Sequence, residues 1–339
     1  NCVGTFTEVT PSPRCWSIFG HGNETVTTAI RDSCNYYFYS VGYKLATKSG
    51  VYDDDAGLNI LYNYADMYGL SEKSGVEVSE YAPDVSGLDA VRSCIGQGTN
   101  AYTTAEIARY ATTIANSGTC FKLTLIDRVC DAGGKTIYEK EPDVRNVIEL
   151  PQSYWNAFHS GMRQMVQNKV YFNDLAVNVA GKTGTAEKAG REEGVYLVSF
   201  IGFAPYVNPE VVCYVVIDEP ESGDEHGVSS KLFNDIMSEV LPYLNIKPAT
   251  LDEDPTGMAG KSKTNYTDDD GQGSDGDNED YWQDPEEGAG EYSDTGWEED
   301  GYSDSEEEYY EEEYYEEDNG EYYEEENYEE NYNEGGDEY

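Results

Sequence analysis

Apolar positions recur at helical spacing through the first half of residues 1–250 and alternate through much of the second half. Residues 1–22 are rich in Gly, Pro and Thr, show no period and read as irregular loop. Residues 23–32 then read as a short helix that stops at Ser33-Cys34-Asn35. Residues 36–47 form a second helix carrying Phe38, Val41 and Leu45, and residues 58–68 a third, closed by Gly69. The clearest helix spans 103–117. Thr103 and Glu106 make a capping box, Ile107, Ala111, Ile114 and Ala115 make one stripe, and Gly118 stands at the stop. Alternation takes over at 121–129, the turn Asp131-Ala132-Gly133-Gly134 follows, and 136–138 returns, which predicts a hairpin. After an amphipathic helix over 153–166 come three strand-like runs, 177–187, 195–204 and 211–217, with connections short enough for antiparallel neighbours. A last helix over 229–241 sets Leu232, Ile236, Met237 and Val240 on one face. Helices first, then an antiparallel sheet and a closing helix, make an α+β arrangement.

Charge divides the chain into two parts. Of 339 residues with net charge −47, the segment 251–339 holds 37 acids against two lysines, or −35, which leaves −12 for residues 1–250. That segment has one Leu and no Ile, Val, Phe or Cys, so it cannot bury enough apolar surface to offset the entropy of folding. Residues 248–339 are therefore expected to be a disordered acidic tail and residues 1–247 the folded domain. Thirteen tyrosines stand among the tail's acids. A wall-facing brush that binds divalent cations weakly is one role open to it, and a plain solvated segment is the other. The acidity excludes nucleic-acid binding by charge, and no apolar run is long enough to span a membrane. Seven cysteines spread over residues 2–213 are not a disulfide framework. The chain begins with Asn1 rather than Met and reads as a piece of something longer.

Two segments carry candidate chemistry. Gly181-Lys182-Thr183-Gly184-Thr185-Ala186 puts a lysine and two hydroxyls around a glycine on a predicted strand. Thr183 and Thr185 share a face there, Gly184 leaves room for a ligand between them, and a free strand edge offers N–H groups to an oxyanion. An ordinary exposed strand is the bland alternative. Ser33-Cys34-Asn35 presents a hydroxyl and an amide between two helices, suited to relaying a proton and holding a substrate amide. By itself it is also what a helix stop followed by a new cap looks like.

Together the segments resemble a family. Ser-x-Asn followed roughly 150 residues later by Lys-Thr-Gly is the pattern of penicillin-binding transpeptidases and serine β-lactamases. Gly20-His21-Gly22, Ala29 to Asn35, Phe38-Tyr39, Ile95-Gly96-Gln97-Gly98 and Ala115 to Gly118 are similar to class B penicillin-binding proteins of the elongation type, over about residues 1–245. β-Lactamases fit less well. The departure is that the chain contains no Ser-x-x-Lys, the motif that supplies the family's nucleophile and its base.

The resemblance implies a partial transpeptidase fold, with an antiparallel sheet and a helical subdomain. It implies a D,D-transpeptidase that cross-links peptidoglycan stem peptides through a serine acyl-enzyme, with β-lactams as inhibitors. Ser33, Asn35 and Lys182 would be catalytic. Thr183, Gly184 and Thr185 would bind substrate, with no cofactor in catalysis. It also implies an outer-face position on the bacterial cytoplasmic membrane through an upstream anchor, and a glycosyltransferase partner in a cell-wall complex. The alternatives are a non-catalytic penicillin-binding-like module and a β-lactam-sensing receptor domain. Without a nucleophile this stretch is expected to be inactive alone.

Cys2, Cys15, His21 and Cys34 follow the spacing Cys-x12-Cys-x5-His-x12-Cys. Three thiolates and an imidazole suit a structural Zn²⁺. The resemblance adds that some elongation-type relatives carry zinc in this region. A Cys2–Cys15 disulfide and three unrelated buried thiols remain the alternatives. His159 reads as a surface or satisfied core residue, and His226 as a solvated loop residue.

Overall fold

The computed structural model describes residues 1–167, 169, 172, 175–187, 196–220 and 227–248. The expected tail from 248 onward, the loop 188–194 and His226 lie outside the described residues, apart from Pro248.

Local signals set the helix starts. Thr25 caps α1 (Val26–Arg31) through a capping box with Thr28, and Cys34 stands at the cap of α2 (Asn35–Leu45) with its thiol turned elsewhere. Asp53 caps α3 (Asp54–Met67) by accepting from the Ala56 N–H, so this helix begins one turn before the stretch that its apolar pattern predicts. A two-residue hairpin, β1 (Thr47–Lys48) with β2 (Val51–Tyr52), joins α2 to α3. After the single turn α4 (Ala90–Ser93), α5 (Thr104–Ala115) carries the expected Thr103/Glu106 box.

The hairpin after α5 is more broken than its alternation predicts. The run 121–129 divides into β3 (Thr119–Lys122) and β4 (Arg128–Cys130). β4 makes the expected hairpin with β5 (Thr136–Glu139), while β3 pairs antiparallel with the later β6 (Asp143–Val147). All of β4 and β5 is exposed, so no core face fixes a longer strand there.

The main sheet is antiparallel in the order β7 (Ala180–Glu187), β8 (Tyr196–Ala204), β9 (Val211–Asp218). Its two faces are covered by different helices. On one, Phe200 and Val215 pack with Phe233 and Met237 of α7 (Val228–Tyr243), and the Phe200 and Phe233 rings lie 4.6 Å apart. On the other, Ala180 and Phe203 meet Ile30 of α1, Ala115 of α5 and Met162 of α6 (Gln152–Gln167). The α7 face differs from its predicted stripe: Ser229, Ser230, Phe233, Met237 and Leu241 are buried, while Leu232 is exposed. Two serines and a phenylalanine shift the inward face by one position, and an apolar count does not weigh serines.

α5 also departs from its stripe. Glu106, Arg109 and Thr113 are all buried. The Arg109 guanidinium donates to the carbonyls of Gly69, Glu72, Lys73 and Ser74, so one charged group satisfies a whole loop of acceptors.

Candidate active site

The site forms where β7 passes the junction of α1 and α2. In the pairing of β7 with β8, Lys182 lies opposite Ile201 and Gly184 opposite Ser199. Ile201 and Ser199 alternate with Phe200, whose ring packs against α7, so Lys182 points to the face that carries α1. There the Lys182 Nζ donates to Ser33 Oγ at 2.7 Å, across 149 residues of sequence, and to its neighbour's carbonyl, Thr183 O, at 2.9 Å. Burial of the ammonium, helped by the charge of Lys169, lowers its pKa from 10.5 to about 8.

Ser33 is held in an uncommon shape. α1 ends at Asp32, α2 restarts from Cys34, and Ser33 between them has φ 54°, the left-handed region that a side chain enters only at a cost. The Trp16 Nε1 donates to both Asp32 O and Ser33 O, at 3.0 and 3.1 Å. Arg31 clamps Asp32 with two bonds of 2.7 and 2.8 Å. Asn35 opens α2, and one turn on, the Tyr39 hydroxyl donates to Arg14 O at 3.3 Å. Trp16 was missed by sequence reasoning. Its only signal is an aromatic residue next to Cys15 in a loop of small residues.

Of the predicted substrate-binding trio, Gly184 shares the Lys182 face. A Cβ there would lie 2.5 Å from Ser199 Oγ, a hydroxyl that a χ1 rotation moves aside, and 3.9 Å from Ser199 Cβ, so this neighbour leaves the position open to a small side chain. Thr183 and Thr185 fall on the alternate register positions, opposite Phe200 and Val198, with Thr183 partly buried and Thr185 exposed. β7 is the edge of its sheet among the described residues, so half of its N–H groups face away from β8.

The four predicted metal ligands do converge. Residues 2–22 fold back on themselves through Cys2 to Gly22 and Thr5 to Arg14 bridges, and Phe6 packs edge-on to Tyr36 of α2 at 5.3 Å. The ligand atoms of Cys2, Cys15, His21 and Cys34 all lie within 4.8 Å of one another. The His21 Nδ1 is 3.7 Å from Cys2 Sγ and 3.5 Å from Cys15 Sγ. A tetrahedral zinc with Zn–S of about 2.3 Å and Zn–N of about 2.0–2.1 Å has S···N edges of about 3.6 Å. The donor set and its spacing therefore fit such an ion. Cys2, Cys15 and Cys34 are free thiols, so the expected alternative of a Cys2–Cys15 disulfide is not the arrangement in this structure. Burial opposes ionisation of Cys2, but hydrogen bonds from Gly4, His21, Cys34 and Cys15 bring its pKa down, whereas burial pushes Cys34 well up.

His159 is the satisfied core residue that its helix suggests, with Nε2 2.7 Å from Ile114 O and its ring on Phe203. Burial lowers its pKa against the Ile114 bond.

The chain matches the family model of the penicillin-binding protein transpeptidase domain over residues 6–238. It is 26% identical to stage V sporulation protein D of Bacillus subtilis over 251 residues, which cover 69% of this chain and 37% of that protein. It is 25% identical to the peptidoglycan D,D-transpeptidase MrdA of Haemophilus influenzae over 267 residues, covering 68% of this chain and 39% of the relative. Among solved structures, penicillin-binding protein 2B of Streptococcus pneumoniae superposes with a TM-score of 0.64 at 20% identity, over 74% of this chain and 44% of that one. That likeness establishes the fold. The chain spans well under half the length of the curated relatives it matches.

Proposed function

Because the chain belongs to the penicillin-binding protein transpeptidase family, we propose that it forms two walls of a peptidoglycan D,D-transpeptidase site in a longer protein. The observation that carries this is the Lys182–Ser33 contact of 2.7 Å, which joins the two motifs. Lys182 donates into Ser33 Oγ, so the serine's own proton is free to point at a substrate. As the bond between two D-alanines breaks, Ser33 gives that proton to the leaving nitrogen and takes a replacement from the Lys182 ammonium. An amine with pKa about 8 sheds and regains a proton near neutral pH, as such a relay needs. Asn35 holds the substrate amide. Thr183 and Thr185 reach the substrate carboxylate over the free edge of β7, and an N–H of that edge steadies the developing oxyanion. A stem-peptide amine then accepts the acyl group, and β-lactams mimic the D-Ala-D-Ala end.

Cys2, Cys15, His21 and Cys34 hold a structural Zn²⁺ in this reading. The ion takes no part in the reaction; it braces the loop that carries Ser33 and Asn35. The working place is the outer face of the cytoplasmic membrane, through an anchor elsewhere in the longer protein, within a cell-wall complex that includes a glycosyltransferase. No helix of the described residues is long and apolar enough to cross a membrane. The similar folds of known assemblies support the setting. Similar folds occur in a "peptidoglycan synthase complex" and in a complex of a penicillin-binding protein with MreC from Helicobacter pylori.

The test is acylation by a fluorescent penicillin, read by gel and intact mass. A longer protein that adds an upstream Ser-x-x-Lys to this chain should be labelled, and Ser33→Ala and Lys182→Ala should each slow labelling by at least about tenfold. Failure of the longer protein to label would overturn the reading. The present chain contains no Ser-x-x-Lys and should form no adduct alone.

A further inference from the structure

Three thiols crowd one histidine immediately behind the proposed relay. Cys2, Cys15 and Cys34 are all buried, and their sulfurs lie within 4.8 Å of one another. Cys34 is the residue after Ser33, and Ser33 carries the left-handed φ of 54°. A serine in that region persists only where its surroundings hold it. Backbone bonds hold it from α1, Ser33 N–H to Ile30 O at 3.4 Å and Cys34 N–H to Ala29 O at 2.9 Å, and three side chains add to them: Lys182 from the sheet, Trp16 from the loop, and Cys34 through the thiol cluster. Trp16 belongs to the same assembly, since its ring packs edge-on against His21 at 4.9 Å. Two of these three side chains therefore depend on the cluster staying intact.

We propose that the Cys2–Cys15–Cys34 cluster is a hydroperoxide-sensitive modification site whose oxidation expels its metal and releases Ser33; this rests on the metal reading above. Thiolates around a cation are deprotonated, nucleophilic and already close. One thiolate attacks the peroxide: an S–O bond forms, the O–O bond breaks, and the departing oxygen leaves as water after taking a proton. A neighbouring thiolate attacks the resulting sulfenic sulfur: the S–S bond forms, the S–O bond breaks, and a second water leaves. Two thiolates lose two electrons and one peroxide gains them. The three sulfurs all lie within 4.8 Å of one another, so the disulfide joins two of Cys2, Cys15 and Cys34. Any such disulfide removes two of four ligands. The remaining four cysteines are not arranged for this step. Burial raises the pKa of Cys94 to about 11 and raises that of Cys213, and neither they, Cys120 nor the exposed Cys130 belongs to the cluster.

The experiment uses the whole chain with Cys130→Ser, which removes the exposed thiol, loaded with zinc. Native mass spectrometry counts bound zinc. Hydrogen peroxide is then titrated in while a chromophoric chelator reads released zinc. Peptide mapping locates the disulfide, which lowers the mass by about 2 Da, and amide exchange is followed at residues 33–35. The expected result is one zinc per chain, released in step with the loss of two thiols and the formation of one disulfide among Cys2, Cys15 and Cys34. Exchange at 33–35 should rise about tenfold or more and return with reductant plus zinc. A chain that binds no zinc overturns the metal reading and this proposal with it. Bound zinc with Cys2, Cys15 and Cys34 still reduced, at peroxide that oxidises free cysteine, overturns the proposal alone. So does zinc release with unchanged exchange at Ser33.

Discussion

Lys182→Met separates what the relay does from what it costs. The Lys182 ammonium loses water on folding, and burial first, then Lys169, take its pKa from 10.5 to about 8. In the unfolded chain the amine titrates near its ordinary value. Below pH 8 both states are protonated and the folded state bears the full cost of a desolvated charge. Between about pH 8 and 10.5 the unfolded chain holds a proton that the folded one has shed, so stability rises with pH across that window. At about 1.36 kcal/mol per pKa unit, the whole rise is about 3 kcal/mol. Methionine keeps most of the stem's volume and does not titrate. The tyrosines and cysteines titrate in both proteins and cancel in the difference. Lost hydrogen bonds to Ser33 and Thr183 add an offset of about 1–3 kcal/mol that does not vary with pH, so the slope is the diagnostic quantity. Urea unfolding of both chains at pH 7, 8, 9 and 10 should show the parent gaining about 2–3 kcal/mol on the variant, with the onset near pH 8. Parallel stability curves would refute the buried-lysine argument and remove the basis for a relay poised near neutral pH.

Trp16→Phe keeps a ring against His21 but removes the N–H shared by Asp32 O and Ser33 O; it should cost about 0.5–1.5 kcal/mol in urea unfolding and speed amide exchange at residues 32–35. Gly181→Ala places a Cβ 2.5 Å from the Phe200 ring and 2.7 Å from Ile201 O, so it should cost about 1–3 kcal/mol, and an unchanged urea midpoint would count against the packing of β7 on β8. Arg109→Met leaves the carbonyls of Gly69, Glu72, Lys73 and Ser74 without their donor, and a loss of about 3 kcal/mol or more is expected from thermal or urea melts. Stripping metal from zinc-loaded chain with a strong chelator should lower Tm by several degrees, and Cys34→Ser should abolish that dependence.

Sequence alone determined what rests on local chemistry. The capping box at Thr103 and Glu106 specifies the start of α5, and alternation specifies β7, β8 and β9 as neighbours, because caps and strand faces depend on residues a few positions apart. The ligand spacing of Cys2, Cys15, His21 and Cys34 and the two motifs at Ser33 and Lys182 were legible for the same reason: residue type and interval are enough to pose them. Tertiary structure decided the rest. It decided that β3 pairs with β6 and not with β4's partner, since β4 and β5 are wholly exposed and carry no buried face to declare a register. It decided the inward face of α7 and the burial of Glu106, Arg109 and Thr113, because a polar group can be buried only where distant partners satisfy it. It also decided the contact between Lys182 and Ser33, and with it the lowered pKa of that lysine. Neither the 2.7 Å approach nor the desolvation exists until α1 and α6 pack against the sheet that carries Lys182.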